Sequence, residues 1–292
     1  MHAHRPVIHG SIICLALFMQ LVLTPAAEAT IYYDLGIKAA YEDNVVGLLS
    51  DKRVGTAGMT IAPGSGIMSA MSMTTGTPLY VGSSNQSSSD TSINLFANLG
   101  NSTRIAADTW FFVAGSVLHS SYSTYDQLDS TIGGLSTGIT RGLGDIFTAR
   151  VAISTGIKRY NDSERNSQAY GANLSLKEKL APAFWLKESY DYEKNKADSP
   201  LFTYQGNAVS LGAGYLVTPQ TTLLLVYNYL VRNFDQPSDF TVTAHTISLG
   251  MEEELMENWF FEARYDRQIS DSDLPGTNTT DNIYSIGLSY RY

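Results

Sequence analysis

The chain closes on the stretch Ser285-Ile286-Gly287-Leu288-Ser289-Tyr290-Arg291-Tyr292, in which the character of the side chain alternates at every residue. The even-numbered positions are large and apolar or aromatic, whereas the odd-numbered positions are small or polar. Successive side chains of a β-strand point to opposite faces, so the alternation predicts a strand with one apolar and one polar face. Such a strand separates an apolar medium from an aqueous one.

Three residues of this stretch have the spacing of an assembly signal. Gly287 precedes the aromatic Tyr290 and Tyr292, and Tyr292 is the final residue. This pattern resembles the C-terminal signal of Gram-negative outer-membrane β-barrel proteins. The resemblance implies a bacterial outer-membrane location, recognition by the barrel-assembly machinery, and contact with outer-membrane lipid and lipopolysaccharide. It indicates porin-like barrels in general and no specific family.

The first 29 residues have the composition of a secretory signal peptide. Arg5 precedes an apolar run over 12–23, and the small-residue pattern Ala27-Glu28-Ala29 follows that run. The run is too short to cross a bilayer as a helix. Cys14, the only cysteine, lies within it, so we expect no disulfide and no thiolate metal site in the exported part. We predict a signal peptide over 1–29 and an outer-membrane β-barrel over 30–292.

The composition favours strands and argues against nucleic acid as a partner. The chain contains 18 Tyr, 11 Phe and 3 Trp, residue types that are enriched in strands. Its mean hydropathy of −0.08 is that of a sequence in which lipid-facing and water-facing residues cancel. The formal net charge of −9 disfavours binding to a polyanion.

Period-2 alternation recurs along the chain and predicts the architecture. Twelve segments show it, an even number such as bacterial single-chain barrels have, and each is long enough for a tilted membrane strand. We therefore predict an all-β fold, a transmembrane antiparallel up-and-down β-barrel. The segments are 31–43, 90–101, 104–121, 130–142, 145–159, 167–180, 182–194, 203–217, 220–233, 240–255, 258–270 and 280–292.

The connections between these segments alternate between short and long. The short ones are predicted at 101–103, 142–144, 181–182, 218–220 and 256–258, and longer polar ones lie between them. Short periplasmic turns and longer extracellular loops are the rule in outer-membrane barrels. With twelve strands, both ends of the barrel domain are then expected on the periplasmic side.

One connection, 44–89, is much longer than the others. Loops of this length are usually functional or disordered. Its part 53–73 is unusually apolar for an exposed loop, so we expect it to enter the barrel as a constriction or plug. The alternative is a long external loop with little structure.

Four methionines in this loop form a weak candidate for a metal site. Thioethers favour soft ions such as Cu(I). Methionine also fills irregular apolar packing, and no His or Cys lies nearby, so packing is favoured and no cofactor is expected. The four residues are Met59, Met68, Met71 and Met73.

Charged residues fall mainly on the face opposite the apolar stripe, which predicts an aqueous or salt-bridged interior because charge facing lipid is costly. Nine bases and seven acids are assigned to this face and are spread over most strands. The bases are Lys38, Arg150, Lys158, Lys177, Lys179, Lys187, Arg232, Arg264 and Arg291, and the acids are Asp34, Asp191, Glu193, Glu252, Glu254, Glu262 and Asp266. We expect them to pair across a narrow lumen. The alternative is a transverse electric field that guides small solutes.

These features favour a porin-like channel for passive diffusion of small solutes and no enzymatic activity. The first alternative is a non-conducting barrel with a structural, adhesin-like or assembly role. The second is a lipid hydrolase, because His119 and Ser121 lie on one face of a strand. That arrangement resembles outer-membrane phospholipase, which would use the histidine as base and the serine as nucleophile.

Overall fold

The computed structural model of the protein describes residues 29–45, 89–235, 240–273 and 278–292. These residues form twelve strands, with three short 3-10 turns between them. The strands are β1 (Ala29–Glu42), β2 (Asp90–Ala106), β3 (Thr109–Tyr122), β4 (Ser130–Leu143), β5 (Phe147–Tyr160), β6 (Ser167–Ala181), β7 (Phe184–Ala197), β8 (Tyr204–Leu216), β9 (Thr221–Phe234), β10 (Phe240–Met256), β11 (Trp259–Ser272) and β12 (Thr279–Arg291).

Each strand pairs antiparallel with its neighbours in sequence, and β12 returns to pair with β1. The predicted twelve-stranded, antiparallel, up-and-down barrel is confirmed. Closure satisfies the backbone groups that the edge strands of an open sheet would leave unpaired, which is essential within lipid. It extends to the last residue, because the backbone amides and carbonyls of Tyr33 and Tyr292 exchange two hydrogen bonds of 2.9 Å.

The connections define two ends of the barrel. At the turn end, strands are joined by turns of two to four residues; at the loop end, the connections are longer. Asp108 and Asn258 adopt positive φ angles of 54° and 69°, a backbone conformation that short polar side chains tolerate in such turns. Gly144, with φ of 69°, does the same between β4 and β5.

The prediction of a turn at 101–103 is wrong. Residues 101–103 continue the β2 ladder, and the chain reverses at Ala107 and Asp108 instead. Asn101 pairs with both Val113 and Ile31, so its polar side chain belongs to a strand position and does not mark a turn. The other strand boundaries agree with the predicted segments to within three residues.

Two predicted segments lie outside the described residues. The connection between β1 and β2 spans 43–89, of which 46–88 are not described, so its role as constriction or plug stays a prediction. The same holds for the signal peptide, since β1 begins at Ala29 and residues 1–28 precede the described part. In the described part of the chain, no helix is long and apolar enough to span a membrane.

The barrel has an apolar outer face. Large apolar side chains alternate along the strands and remain exposed, for example Ile153 at 63%, Ile286 at 57% and Leu174 at 54%. A continuous apolar belt of this kind marks a surface in contact with lipid. The intervening residues point inward and are mostly buried and polar, as the period-2 pattern predicts.

Aromatic side chains of the outer face gather where β1, β11 and β12 reach the turn end. The Tyr33 ring stacks on Tyr290 and Tyr292 at centroid distances of 5.9 and 5.3 Å, and Trp259 meets Tyr290 edge-on at 5.4 Å. Aromatic residues at this level form the girdle of a membrane barrel at the lipid–water boundary.

Candidate functional site: the charged inner wall

The strand alternation places all of the predicted lumen charges on the inner face. Lys38, for example, alternates with the exposed Ile37, and Arg150 with the exposed Val151. Contacts between strands that are not neighbours confirm the direction, because only side chains on the concave face can reach over an intervening strand. Lys38 of β1 contacts Glu262 of β11 in this way, across β12.

One set of these charges forms a paired group beside the line where β1 closes on β12. Lys38 Nζ lies 3.0 Å from Glu262 Oε1. Arg291 Nη1 lies 2.9 Å from Glu252 Oε2, and its Nε lies 3.9 Å from Asp34 Oδ1. The Arg291 guanidinium also covers the Phe260 ring at 4.2 Å. We call Asp34, Lys38, Glu252, Glu262 and Arg291 the seam network.

A second set lies on the opposite wall and consists of three basic residues, with Asp191 of β7 further along the same face. Arg150, Lys177 and Lys187, which we call the basic cluster, come from β5, β6 and β7. Lys177 and Lys187 are direct cross-strand partners, an arrangement that is unfavourable for like charges. Among the residues that the structure describes, no carboxylate lies within ion-pair distance of Arg150 or Lys177. Arg150 and Lys177 instead contact aromatic rings.

The aromatic contacts of the basic cluster are specific. The Arg150 guanidinium lies 3.8 Å from the centroid of Phe112, and Lys177 Nζ lies 5.2 Å from that of Trp185. A cation over a ring face is stabilised by the ring quadrupole without being neutralised. Phe112 and Trp185 therefore hold the two side chains while leaving their charge available to a solute.

Two acids of the seam network, Glu252 and Glu262, lie at the same depth as the basic cluster. Arg150 and Lys187 are the fourth residues of β5 and β7, and Glu262 is the fourth residue of β11, counted from the turn end. Lys177 and Glu252 are each the fifth residue from the ends of β6 and β10. In a closed barrel of twelve strands, β6 and β12 are six strands apart in either direction. The two sets thus face each other across the lumen.

Pairing across the lumen stays a prediction. The ion pairs described above, such as Lys38–Glu262, join residues at most two strands apart, whereas the basic cluster lies on the opposite wall. The seam network and the basic cluster lie on separate walls because each strand occupies a fixed angular position in an up-and-down barrel. Arranging the charged residues by strand number would therefore have predicted the two walls from the sequence.

Nearer the loop end, the inner wall contains a mixed cluster. Lys158 Nζ lies 2.8 Å from Glu193 Oε1 and 3.2 Å from the Tyr204 hydroxyl, and Arg232 covers the Tyr204 ring at 4.3 Å. Tyr204 continues into an apolar group with Phe234, Phe240 and Val242. The sequence pattern did not predict these inward apolar side chains, because apolar residues occur on both faces of β8 to β10.

The remaining predicted charges also lie on the inner face. Arg264 donates from Nε to Asp266 Oδ1 at 2.6 Å and from Nη2 to Ser248 Oγ at 2.6 Å. Asp191 accepts from Asn173 Nδ2 at 2.7 Å. Two acids without a predicted lumen role, Glu42 and Asp281, are buried on the inner face near the loop end, each 1% exposed.

Arg165, another residue without a predicted role, ties three loop-end connections together. It is 3% exposed, its guanidinium lies 4.4 Å from the Tyr160 ring and 5.9 Å from the Phe202 ring, and its Nη1 donates to the Gln127 carbonyl. Burial lowers the pKa of Arg165, while Tyr160 and Asp162 act in the opposite direction. The β3–β4, β5–β6 and β7–β8 connections are thereby held in one arrangement.

His119 and Ser121 lie on the outer face of β3 towards the loop end. His119 Nδ1 is 3.0 Å from Thr131 Oγ1, whereas the Ser121 hydroxyl donates to Asp129 Oδ2 at 3.4 Å. The serine hydroxyl is thus directed to a carboxylate and not to the imidazole. A serine nucleophile requires a base that accepts its proton in a hydrogen bond, and the described contacts pair the two residues with other partners.

The described part of the chain contains no group of three or more His, Cys, Asp or Glu residues that could hold a metal ion. The methionine candidates Met59, Met68, Met71 and Met73 fall outside the described residues.

Comparisons with known proteins support the fold. No protein-family model matches the chain, and no curated protein matches it in sequence. It is similar to an outer-membrane channel from Pseudomonas putida F1, with a TM-score of 0.53 and 9% identity over 90% of this chain and 96% of that chain. It is also similar to the NanC porin, with a TM-score of 0.48 and 12% identity over 88% of this chain and 98% of that one. The first similarity establishes an outer-membrane β-barrel fold, and at this identity it establishes the fold alone.

Proposed function

We propose that this protein is a porin-like channel of the bacterial outer membrane, through which small solutes diffuse passively. The observation that carries the proposal is the basic cluster. The basic cluster faces the paired Glu252 and Glu262 of the seam network, in a closed barrel with a polar inner face. Like charges at a cross-strand position reduce stability, so their presence is better explained by a role towards solutes.

The selectivity of such a channel follows from its charges. The three bases of the basic cluster carry a formal charge of +3, partly offset by Asp191, which interacts electrostatically with Lys187, whereas the three acids and two bases of the seam network nearly cancel. Low-dielectric walls focus this field, and rings of basic side chains favour anions in pores. An anionic group of a solute would follow the β5–β7 wall while the remainder of the solute passes the neutralised wall.

Planar-bilayer recordings of the purified, refolded protein test this proposal. Stable stepwise currents are expected, and the double variant Lys177→Gln/Lys187→Gln should shift the zero-current potential in a KCl gradient towards cation selectivity. A matched control is Arg141→Gln/Arg267→Gln, which removes two charges from the outer face and should leave the potential unchanged. Equal shifts in both variants would show that net charge, and not the inner wall, controls the permeating ions.

The alternative of a non-conducting structural or adhesin-like barrel is tested by the same recordings. Deleting residues 53–89 removes most of the long first loop while leaving β1 and β2 intact. If that loop forms a constriction, the deletion should raise the conductance. Silence of both the full chain and the deletion variant would overturn the channel and favour the structural alternative.

We propose that the protein has no enzymatic activity and needs no cofactor. The hydrogen bond from Ser121 to Asp129 supports this proposal against a hydrolase based on His119 and Ser121. A fluorophosphonate probe should leave the protein unlabelled. Labelling that disappears in Ser121→Ala, but persists in Ser120→Ala, would restore the hydrolase.

A further inference from the structure

The outer face of the barrel contains three exposed basic side chains at the loop end. Arg159 of β5 and Lys194 and Lys196 of β7 are exposed, and we call them the outer basic arc. Lys194 is the cross-strand partner of Tyr170, whose side chain is 52% exposed on the lipid-facing side. Since direct partners in a sheet point to the same face, Lys194 faces outward, and Lys196, two residues further on, does too.

No ion pair neutralises these residues within the described part of the chain. None of the three lies within ion-pair distance of a described carboxylate. The nearby acids are Asp162 and Glu164 in the connection above β5, where Asp162 accepts a hydrogen bond from the Glu164 amide, and Asp198 in the connection above β7, whose amide donates to the Asn166 carbonyl. The arc is also local, because the outer face on the other side of the barrel has Asp43 and Asp271 at this level.

The surface next to the arc is apolar towards the middle of the barrel. Ile153 and Leu174 are 63% and 54% exposed below it on β5 and β6, and Tyr190 is 45% exposed below it on β7. A ligand that contacts both the outer basic arc and the apolar surface below it must have a negatively charged head and apolar chains. A free phosphate or an acidic protein segment would use the charges but leave the apolar surface uncovered.

Polar side chains lie between the charged side chains of the outer basic arc and can also bind a polar head group. Gln168 of β6 is the cross-strand partner of Lys196, and the Tyr170 hydroxyl donates to Gln168 Oε1 at 3.3 Å. Gln205 of β8 is the partner of Lys194 on its other side. The amide donors lie in register with the lysines, so phosphate and sugar oxygens can be bound across several strands.

We propose that the outer basic arc binds the phosphates of a phosphorylated glycolipid, the lipid A anchor of lipopolysaccharide, in the outer leaflet. The orientation follows from the rule that longer connections are extracellular, which places the arc at the level of the outer-leaflet head groups. Basic residues near a membrane surface contribute attraction to anionic lipid, about fivefold in affinity for each charge. The site does not depend on whether the lumen conducts.

Binding of fluorescently labelled lipid A to the full barrel in a neutral detergent tests the site. The wild type should bind bisphosphorylated lipid A more tightly than the dephosphorylated form. The variant Lys194→Gln/Lys196→Gln should lose roughly tenfold or more in affinity for the phosphorylated form and change little for the other. Adding Arg159→Gln should weaken binding further. Heat-modifiable migration on gels verifies that each variant is folded.

The matched control is Arg141→Gln/Lys179→Gln, which removes two charges near the turn end. It should retain wild-type affinity for the phosphorylated lipid. An equal loss in this control would overturn the site, because net charge would then explain the effect. Unchanged affinity of Lys194→Gln/Lys196→Gln, or displacement of the lipid by inorganic phosphate at equal concentration, would also overturn it.

Discussion

The seam network and the basic cluster lie on opposite walls of the barrel, and their charges are arranged in opposite ways. In the seam network, Arg291 is shared between Glu252 and Asp34, and Lys38 is paired with Glu262. In the basic cluster, Lys177 and Lys187 are placed opposite each other, and Arg150 and Lys177 lie on aromatic rings. The seam joins the two ends of the barrel domain, whereas β5 to β7 are joined by consecutive hairpins.

This difference indicates a division of roles between the walls. The β1–β12 pairing joins strands that are farthest apart in sequence, so its closure has the largest entropic cost and benefits from ion pairs that reach over a strand. The β5–β7 wall is held by local hairpins and can tolerate repulsion between its charges. Substitutions in the seam network are therefore expected to change the free energy of unfolding, and substitutions in the basic cluster to change the ion selectivity.

The largest effect on stability is expected for Arg291→Met. This change leaves Glu252 and Asp34 as buried charges without their shared partner, at a cost of about 3 kcal/mol. Equilibrium urea unfolding of the barrel in detergent micelles measures the loss. The control Arg150→Met removes a base of the opposite wall that has no described acidic partner, and it should cost about 1 kcal/mol, the value of one cation–π contact. Equal costs for both would remove the distinction between the walls.

Deleting Tyr292 tests the seam through the backbone. The deletion removes two hydrogen bonds to Tyr33 and one stacked ring, and should cost about 2 kcal/mol. It also removes the final aromatic residue of the predicted assembly signal, so the heat-modifiable barrel should accumulate poorly in cells. Tyr292→Phe keeps the backbone and the ring and should behave like the wild type. Normal accumulation of the deletion variant would contradict the predicted signal.

The sequence predicted the fold well because alternation and connection length are local properties. The inward direction of the charged side chains follows from the same alternation, since one strand register fixes the direction of every side chain in that strand. The sequence did not predict the seam ion pairs, because contacts over an intervening strand depend on the tilt and stagger of the closed barrel. Arg165 was not predicted for a related reason, as its partners come from the end of β5 and from two other connections.

On the opposite wall, Gly214→Ala should disturb the support of the basic cluster. An added Cβ would lie 2.1 Å from ring atoms of Trp185, the ring that Lys177 covers. Displacing this indole should cost about 1–3 kcal/mol, and the selectivity of the channel should change with it. The matched control is Gly206→Ala on the same strand, where the nearest atom is 3.5 Å away. The control should unfold at the wild-type urea concentration.

The smallest effect, and the sharpest test of the difference, is expected for Lys177→Glu. The substitution converts a repulsive cross-strand pair with Lys187 into an attractive one, which should stabilise the barrel by up to about 1 kcal/mol. Lys177→Gln removes the repulsion alone and should lie between the wild type and Lys177→Glu in urea unfolding. The same series should lower anion selectivity step by step, because the charge of the cluster falls while the fold is retained. A more stable barrel with lower anion selectivity would show that Lys177 and Lys187 act on solutes although their repulsion reduces the stability of the barrel. If Lys177→Glu instead destabilises the barrel, the Lys177–Lys187 pair is part of the structural framework, and the two walls do not differ as inferred.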